Sequence, residues 1–231
     1  MAKTSKFKSS LFFIVFLYGC MSPMNSNAQE STSFFSGFGF EIGGGYNQLF
    51  WSATNADGST TSFNRTAFSF MPSARIHYQF SIFKKTTLYT FTGYNEFGGH
   101  SKLEQSTVIL IEDVRYQDQL KFRNLEAGLI GLYNISDLRF GIGAKGNYRI
   151  GLEHRYYYEN HPQRLDGWRS DDVSYYFNNL SVDVGIRLEY PIFRNILLAS
   201  EGWFGITDLS KEEHNMFVRE NHFRLMVGYR F

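Results

Sequence analysis

The sequence predicts an all-β fold, an eight-stranded antiparallel up-and-down transmembrane β-barrel. Three observations carry that expectation. The run His222 to Phe231 alternates apolar with polar or small residues down to its last position. Seven upstream segments share the alternation, and the connections between them are long and short in turn. Successive strand side chains point to opposite faces, so each such run has one apolar and one polar side. Lipid outside and a polar lumen inside would accommodate both.

Composition agrees with a single β-rich domain: of 231 residues, 18% are aromatic, 21 are glycine and only four are proline. Mean hydropathy is -0.30, and past the N-terminus no apolar run approaches the roughly 18 residues of a helical span. Residues 1–28 read as a signal peptide. Lys3, Lys6 and Lys8 precede the apolar Leu11 to Gly19, and Ser26 and Ala28 are the small residues before a cut at Gln29. Residues 29–36 are then a short periplasmic segment and 37–231 the outer-membrane barrel. In the alternative, Leu17-Tyr18-Gly19-Cys20 resembles a lipid-attachment box with Cys20 as acceptor, although Tyr18 is bulky there. Cys20 is the sole cysteine, so no intramolecular disulfide can form. Losing three of the 23 basic residues with the signal leaves 20 against 22 acidic, net -2, which argues against nucleic acid as a partner.

The predicted strands are Gly37 to Trp51, Asn64 to Phe80, Thr87 to Phe97, Gln119 to Tyr133, Leu138 to Ile150, Tyr175 to Tyr190, Ile196 to Ile206 and Arg219 to Phe231. Each reaches the roughly 9 to 11 residues of a tilted membrane strand. In the first, Phe38, Phe40, Ile42, Tyr46 and Phe50 face out, with Glu41 and several glycines facing in. In the second, Phe68, Phe70, Ala74, Ile76, Tyr78 and Phe80 oppose Ser73, Arg75, His77 and Gln79. Pro72 cannot donate to the ladder and marks a bulge or a local edge. The third and fourth strands alternate less regularly. The fifth sets Leu138, Phe140, Ile142, Ala144 and Tyr148 against Arg139, Lys145, Asn147 and Arg149. The sixth sets Leu180, Val182, Val184, Ile186, Leu188 and Tyr190 against Ser181, Asp183, Arg187 and Glu189. The short connections read as periplasmic turns and the long polar ones as outward loops, which puts both barrel termini in the periplasm.

Eight strands leave a lumen that side chains fill, so inward charges need partners. Pairing Tyr133 with Leu138 would set Glu126 opposite Lys145. Pairing Ile192 with Ile196 sets Arg187 opposite Glu201. The last hairpin then brings Arg224 beside Glu201, and the first loop brings Glu41 near Arg75. The expectation is a plugged barrel with a structural or surface-interaction role. The alternatives are a narrow pore for ions or small solutes, and a lipid-modifying enzyme.

Little in the sequence supports catalysis or a cofactor. No His-x-Ser-Asn-like cluster accompanies His77, which reads as a hydrogen-bonded filler. His100, His154, His161 and His214 are scattered through loops without metal-ligand spacing, so no metal is expected. The third long loop, from His154 to Trp168, is dense in aromatics. Tyr156, Tyr157, Tyr158 and Trp168 are candidates for a surface-binding site, or for aromatics that pack on the barrel rim.

With eight alternating segments, the export signal and the terminal Tyr229-Arg230-Phe231, residues 37–231 resemble the small OmpA/OmpX-type, porin-like outer-membrane barrels of Gram-negative bacteria. That resemblance implies outer-membrane lipids as surroundings and the barrel-assembly machinery as a partner during biogenesis. It implies a monomer, with an extracellular ligand or protein as a further possible partner. Arg224, Tyr229 and Phe231 match the polar and aromatic positions of such an assembly signal, while Met226 stands where glycine is usual and Gly228 lies two residues on.

Overall fold

A computed structural model of the protein describes residues 37–54, 58–65, 71–100, 104–106, 114–159, 167–193, 195–211 and 216–231. They contain eleven strands: β1 (Gly37–Thr54), β2 (Thr60–Arg65), β3 (Met71–Phe83), β4 (Thr86–His100), β5 (Glu104–Ser106), β6 (Val114–Ile135), β7 (Leu138–Glu159), β8 (Gly167–Asp171), β9 (Leu180–Pro191), β10 (Ile196–Gly205) and β11 (Met216–Arg230). Eight of them form a closed antiparallel ring. Its order is β1, β3, β4, β6, β7, β9, β10, β11, and β11 pairs back onto β1. Closure leaves no unpaired edge, which is the condition for a sheet to cross hydrocarbon.

β2, β5 and β8 lie off the ring and pair with the far ends of β1, β6 and β7. Tight turns after β3, β6 and β9 define the turn end of the barrel. In the last of these the Ile192 N–H donates to the Ile196 carbonyl at 2.9 Å. The opposite end carries the long connections and is the loop end.

The two faces of the wall have opposite chemistry. Along β9, Leu180, Val182, Val184, Ile186, Leu188 and Tyr190 are exposed, whereas Ser181, Asp183, Arg187 and Glu189 are buried. Phe223, Leu225, Val227 and Tyr229 continue the exposed band on β11, as do Phe38, Phe40 and Ile42 on β1. A water-soluble sheet would invert this arrangement. Apolar side chains outside and charges inside are the pattern of a transmembrane barrel.

Several expectations need correction. The fourth and fifth strands run 22 residues each, beyond their predicted loop-end limits. The expected third loop is therefore partly strand, since Gly151 to Glu159 continue β7 and Gly167–Asp171 form β8. Its polar residues looked like loop, but Arg155-Tyr156-Tyr157-Tyr158 has aromatic β-propensity and finds cross-strand partners on β6 and β8. The sixth strand starts at Leu180, not Tyr175, because Ser174–Tyr176 is a 3-10 turn. The turn is set by Asp172, whose Oδ1 accepts the Ser174 N–H at 2.9 Å. Hydrogen bonds from the Ser174 side chain and backbone hold the Asp172 carboxyl below its usual range. Thr60–Arg65 pairs with β1 and is separate from β3. Pro72 faces Gly44 without a register shift, and the β4 ladder stops at Ser73, so the proline marks an edge. The expected export segment 1–28, the segment 29–36, Phe68, Phe70, His161 and His214 lie outside the described residues.

Candidate functional site

Six carboxylates and six cations point into the lumen: Glu41, Glu126, Asp183, Glu189, Glu201 and Glu220 against Arg75, Arg139, Lys145, Arg187, Arg224 and Arg230. All except Arg230 are at most 3% exposed, so their partners must be protein groups.

Near the turn end the ladder sets Glu41 opposite Arg75 and Arg187 opposite Glu201. Arg75 Nε donates to Glu41 Oε2 at 2.8 Å, and Arg75 Nη1 donates to Glu201 Oε2 at 3.1 Å. Arg187 crosses the lumen to donate to Glu41 Oε1 at 2.5 Å and also reaches Glu201. Two guanidiniums and two carboxylates thus close a square, each charge touching both of its opposites. Arg187 Nε also donates to Glu189 at 3.0 Å, and Glu189 receives Arg139 and Arg230 as well. The Trp203 indole N–H donates to Glu201 at 2.9 Å. Arg187 and Arg75 lie 4.6 Å above the rings of Tyr89 and Phe91, respectively. Fork-shaped guanidiniums suit such shared, stacked bonding better than lysines would.

A second group lies nearer the loop end. Glu126 accepts from Lys145 Nζ at 2.9 Å, from Arg224 Nη1 at 3.0 Å and from Asn95 Nδ2 at 2.5 Å. The expected register was two residues out. The hairpin closes on Ile135 and Leu138, so Glu126 faces Asn147 and Lys145 faces Gly128. A slip of two keeps every side chain on its own face, and the long Lys145 side chain still reaches Glu126 along the diagonal. Arg224 does lie opposite Glu201 on the ladder, yet its guanidinium bonds Glu126.

Above these charges the lumen turns apolar. Leu49, Phe97, Leu120, Phe122 and Val218 from the wall enclose Phe177 and Leu209 from two connections. Phe97 stacks on Phe122 with centroids 4.7 Å apart, and Phe177 meets Phe122 edge-on at 5.2 Å. Asn178 ties Phe177 down: its N–H donates to the Leu209 carbonyl and its side-chain amide to the Ser210 carbonyl, each at 2.7 Å. Sequence reasoning missed this plug. Its wall residues lie at or just beyond the ends of the predicted strands, and Phe177 falls within the predicted sixth strand.

The other predicted residues fall in two places. Tyr157 and Trp168 face each other across β7 and β8, with rings 5.5 Å apart and Trp168 exposed. Tyr156 is half-buried on β7, and Tyr158 is placed by its register with Tyr116 and Gly167. The outer wall nearby carries two ion pairs, an exposed one of Arg123 with Glu153 at 2.9 Å and one of Lys121 with the buried Glu96 at 2.6 Å. Tyr229 packs beside Phe40, and Phe231 projects outward at 79% exposure. Arg224, the third member of the expected assembly signal, is a lumen residue. His77 stacks on Tyr89 at 4.8 Å with Nδ1 3.6 Å from Glu41, but neither ring nitrogen has a hydrogen-bond partner among the described residues, so ring stacking and not the expected hydrogen bonding holds it. Of groups that could hold a metal, Asp183, Glu220 and His222 converge, with one ligand atom from each lying within 4.8 Å of the others. Sequence spacing gave no hint of them, since they meet only through the ladder of β9, β10 and β11.

No protein-family model matches the sequence, and no curated protein matches it. Solved structures similar to the chain include Neisserial surface protein A, at 13% identity over 85% of this chain and 99% of that one, with a TM-score of 0.44. The outer membrane protease OmpT from Escherichia coli is 11% identical over 89% of this chain and 100% of its own, with a TM-score of 0.43. The attachment invasion locus protein Ail of Yersinia pestis is 14% identical over 84% of this chain and 99% of its own, with a TM-score of 0.40.

Proposed function

We propose that the protein is a monomeric, plugged outer-membrane barrel that acts through what it presents at its loop end, as a structural or surface-interaction protein and not as a pore or an enzyme. One observation carries this reading: Phe177 packs into the apolar loop end of a lumen in which most of the charges are paired with one another. An ion crossing that path would have to shed its hydration against Phe97, Phe122 and Phe177 and then break buried pairs. On this reading the turns and both barrel termini face the periplasm, and the β5 to β8 ribbon with Tyr157 and Trp168 faces outward toward a ligand or protein. Tyr229 and Phe231 contribute to recognition by the assembly machinery. His77 serves as a filler against Tyr89.

The test is single-channel recording of pure refolded protein in planar bilayers. A silent bilayer is the expected result, and reproducible unitary conductance from the wild-type chain would replace this reading with the narrow pore.

A further inference from the structure

Between the ionic square and the apolar plug lies a group that the pairing scheme leaves unfinished. Asp183 on β9 faces Gly205 on β10, and Gly205 in turn packs against Glu220 on β11. A Cβ at position 205 would meet the Glu220 carbonyl oxygen at 2.9 Å and Glu220 Cγ at 3.3 Å, so the glycine leaves room for the carboxylate between the strands. His222, two residues on, points into the same space. All three side chains are buried: Asp183 is 0%, Glu220 2% and His222 3% exposed.

Their polar atoms are not satisfied. Asn147 Nδ2 donates to Asp183 Oδ2 at 2.8 Å, and Lys145 Nζ lies 3.4 Å from that same oxygen and 3.1 Å from His222 Nε2. Among the described residues, Asp183 Oδ1, both Glu220 carboxylate oxygens and His222 Nδ1 have no hydrogen-bond partner. Three of those four atoms are carboxylate oxygens. Everywhere else in the lumen each carboxylate is met by a guanidinium or an ammonium; here Lys145 reaches Asp183 alone, and Glu220 has no cation paired with it among the described residues.

We propose that Asp183, Glu220 and His222 form a site for a divalent first-row metal ion of the zinc class. One imidazole and two carboxylates make a mixed nitrogen and oxygen set. Calcium and magnesium favour oxygen alone, and soft ions favour sulfur, so the set points to zinc and its neighbours. Three protein ligands leave a fourth position for water. Lys145 holds the place in the metal-free protein. On binding, the ion takes the His222 lone pair and the Asp183 carboxylate, and the ammonium withdraws onto Glu126, 2.9 Å away. Because the plug covers the site, the metal loads as the barrel folds.

The experiment refolds the chain in detergent with Co2+ or Zn2+ alone, removes loose ion with chelator, and measures retained metal by mass spectrometry and the Co2+ visible spectrum. One equivalent is expected when metal is present during folding and much less when it is added afterwards. Glu220→Gln and His222→Ala should each retain at least about tenfold less, while their heat-modifiable migration shows that the barrel has formed. Wild-type protein that retains no metal under either regime would overturn the proposal. Equal retention by His222→Ala would overturn it too. If that variant does not fold, the wild-type stoichiometry and Glu220→Gln decide the matter.

Discussion

The two halves of the lumen occupy the same ring of strands and fill it differently, since the turn half sets paired charges among Tyr89, Phe91 and Leu132 while the loop half packs apolar side chains on one another. At the turn end, Glu41, Arg75, Arg187 and Glu201 cross-link four strands through directional bonds. At the loop end, Phe97, Phe122 and Phe177 fill the space by shape. The ionic half specifies register, because a one-residue slip on any of those strands would put a charge into lipid. The apolar half specifies closure, because it recruits Phe177 and Leu209 from outside the wall. Charge therefore aligns the barrel, and apolar packing fills its loop end.

The largest effect should come from removing a cation that several anions share. Arg187→Met leaves Glu41, Glu189 and Glu201 short of a partner, and a broken buried pair costs about 3 to 5 kcal/mol. Urea unfolding in lipid vesicles measures it, and a wild-type midpoint would mean that the square contributes no stability. Phe122→Ala should cost somewhat less, about 3 kcal/mol, because loop-end side chains can relax into the space. It should also raise bilayer conductance above the wild-type baseline; a silent, fully destabilised variant would place the seal in the ionic half instead. Deleting residues 156–167 should leave heat-modifiable barrel at near wild-type levels and abolish cell-surface binding, whereas loss of the barrel would make the ribbon part of the folding unit. Smallest of all, Arg123→Ala breaks an exposed pair with Glu153 and a longer contact with Glu96 at 3.8 Å, and should shift stability by less than about 1 kcal/mol. A larger shift would mean that the outer wall shares the coupling seen inside.

The same contrast explains what could be read in the sequence. Strands such as β9, with one face apolar and the other charged, announce themselves by period-two alternation. The pair Arg187 with Glu201 followed from that alternation combined with a short turn, and Glu41 with Arg75 from the alternation across the long first loop, where register is looser. β4 did not announce itself. Its inward face carries Tyr89, Phe91 and Phe97 while Thr90 and Thr92 point outward, so the hydrophobic signal is inverted along part of its length. The Glu126 and Lys145 register failed because the hairpin is tighter by two residues than polarity implied. Phe177, Asp183, Glu220 and His222 acquire their roles from strands far apart in sequence, and no local pattern encodes such a meeting. Long strand extensions into polar sequence were also hidden, since outside the bilayer a strand no longer needs an apolar face.

The ring closes between β1 and β11, where Gly39 faces Arg230 across about 190 residues of chain. Every other neighbouring pair in the ring can zip from a local hairpin or loop, but this seam pairs only once the rest of the sheet has curled round. Until then both seam strands expose bare peptide groups that hydrocarbon cannot solvate. A half-made barrel in the bilayer is therefore the least stable species on the route. Insertion should be all-or-none, so a lesion anywhere along the seam would lower the yield of finished barrels and leave the survivors fully formed.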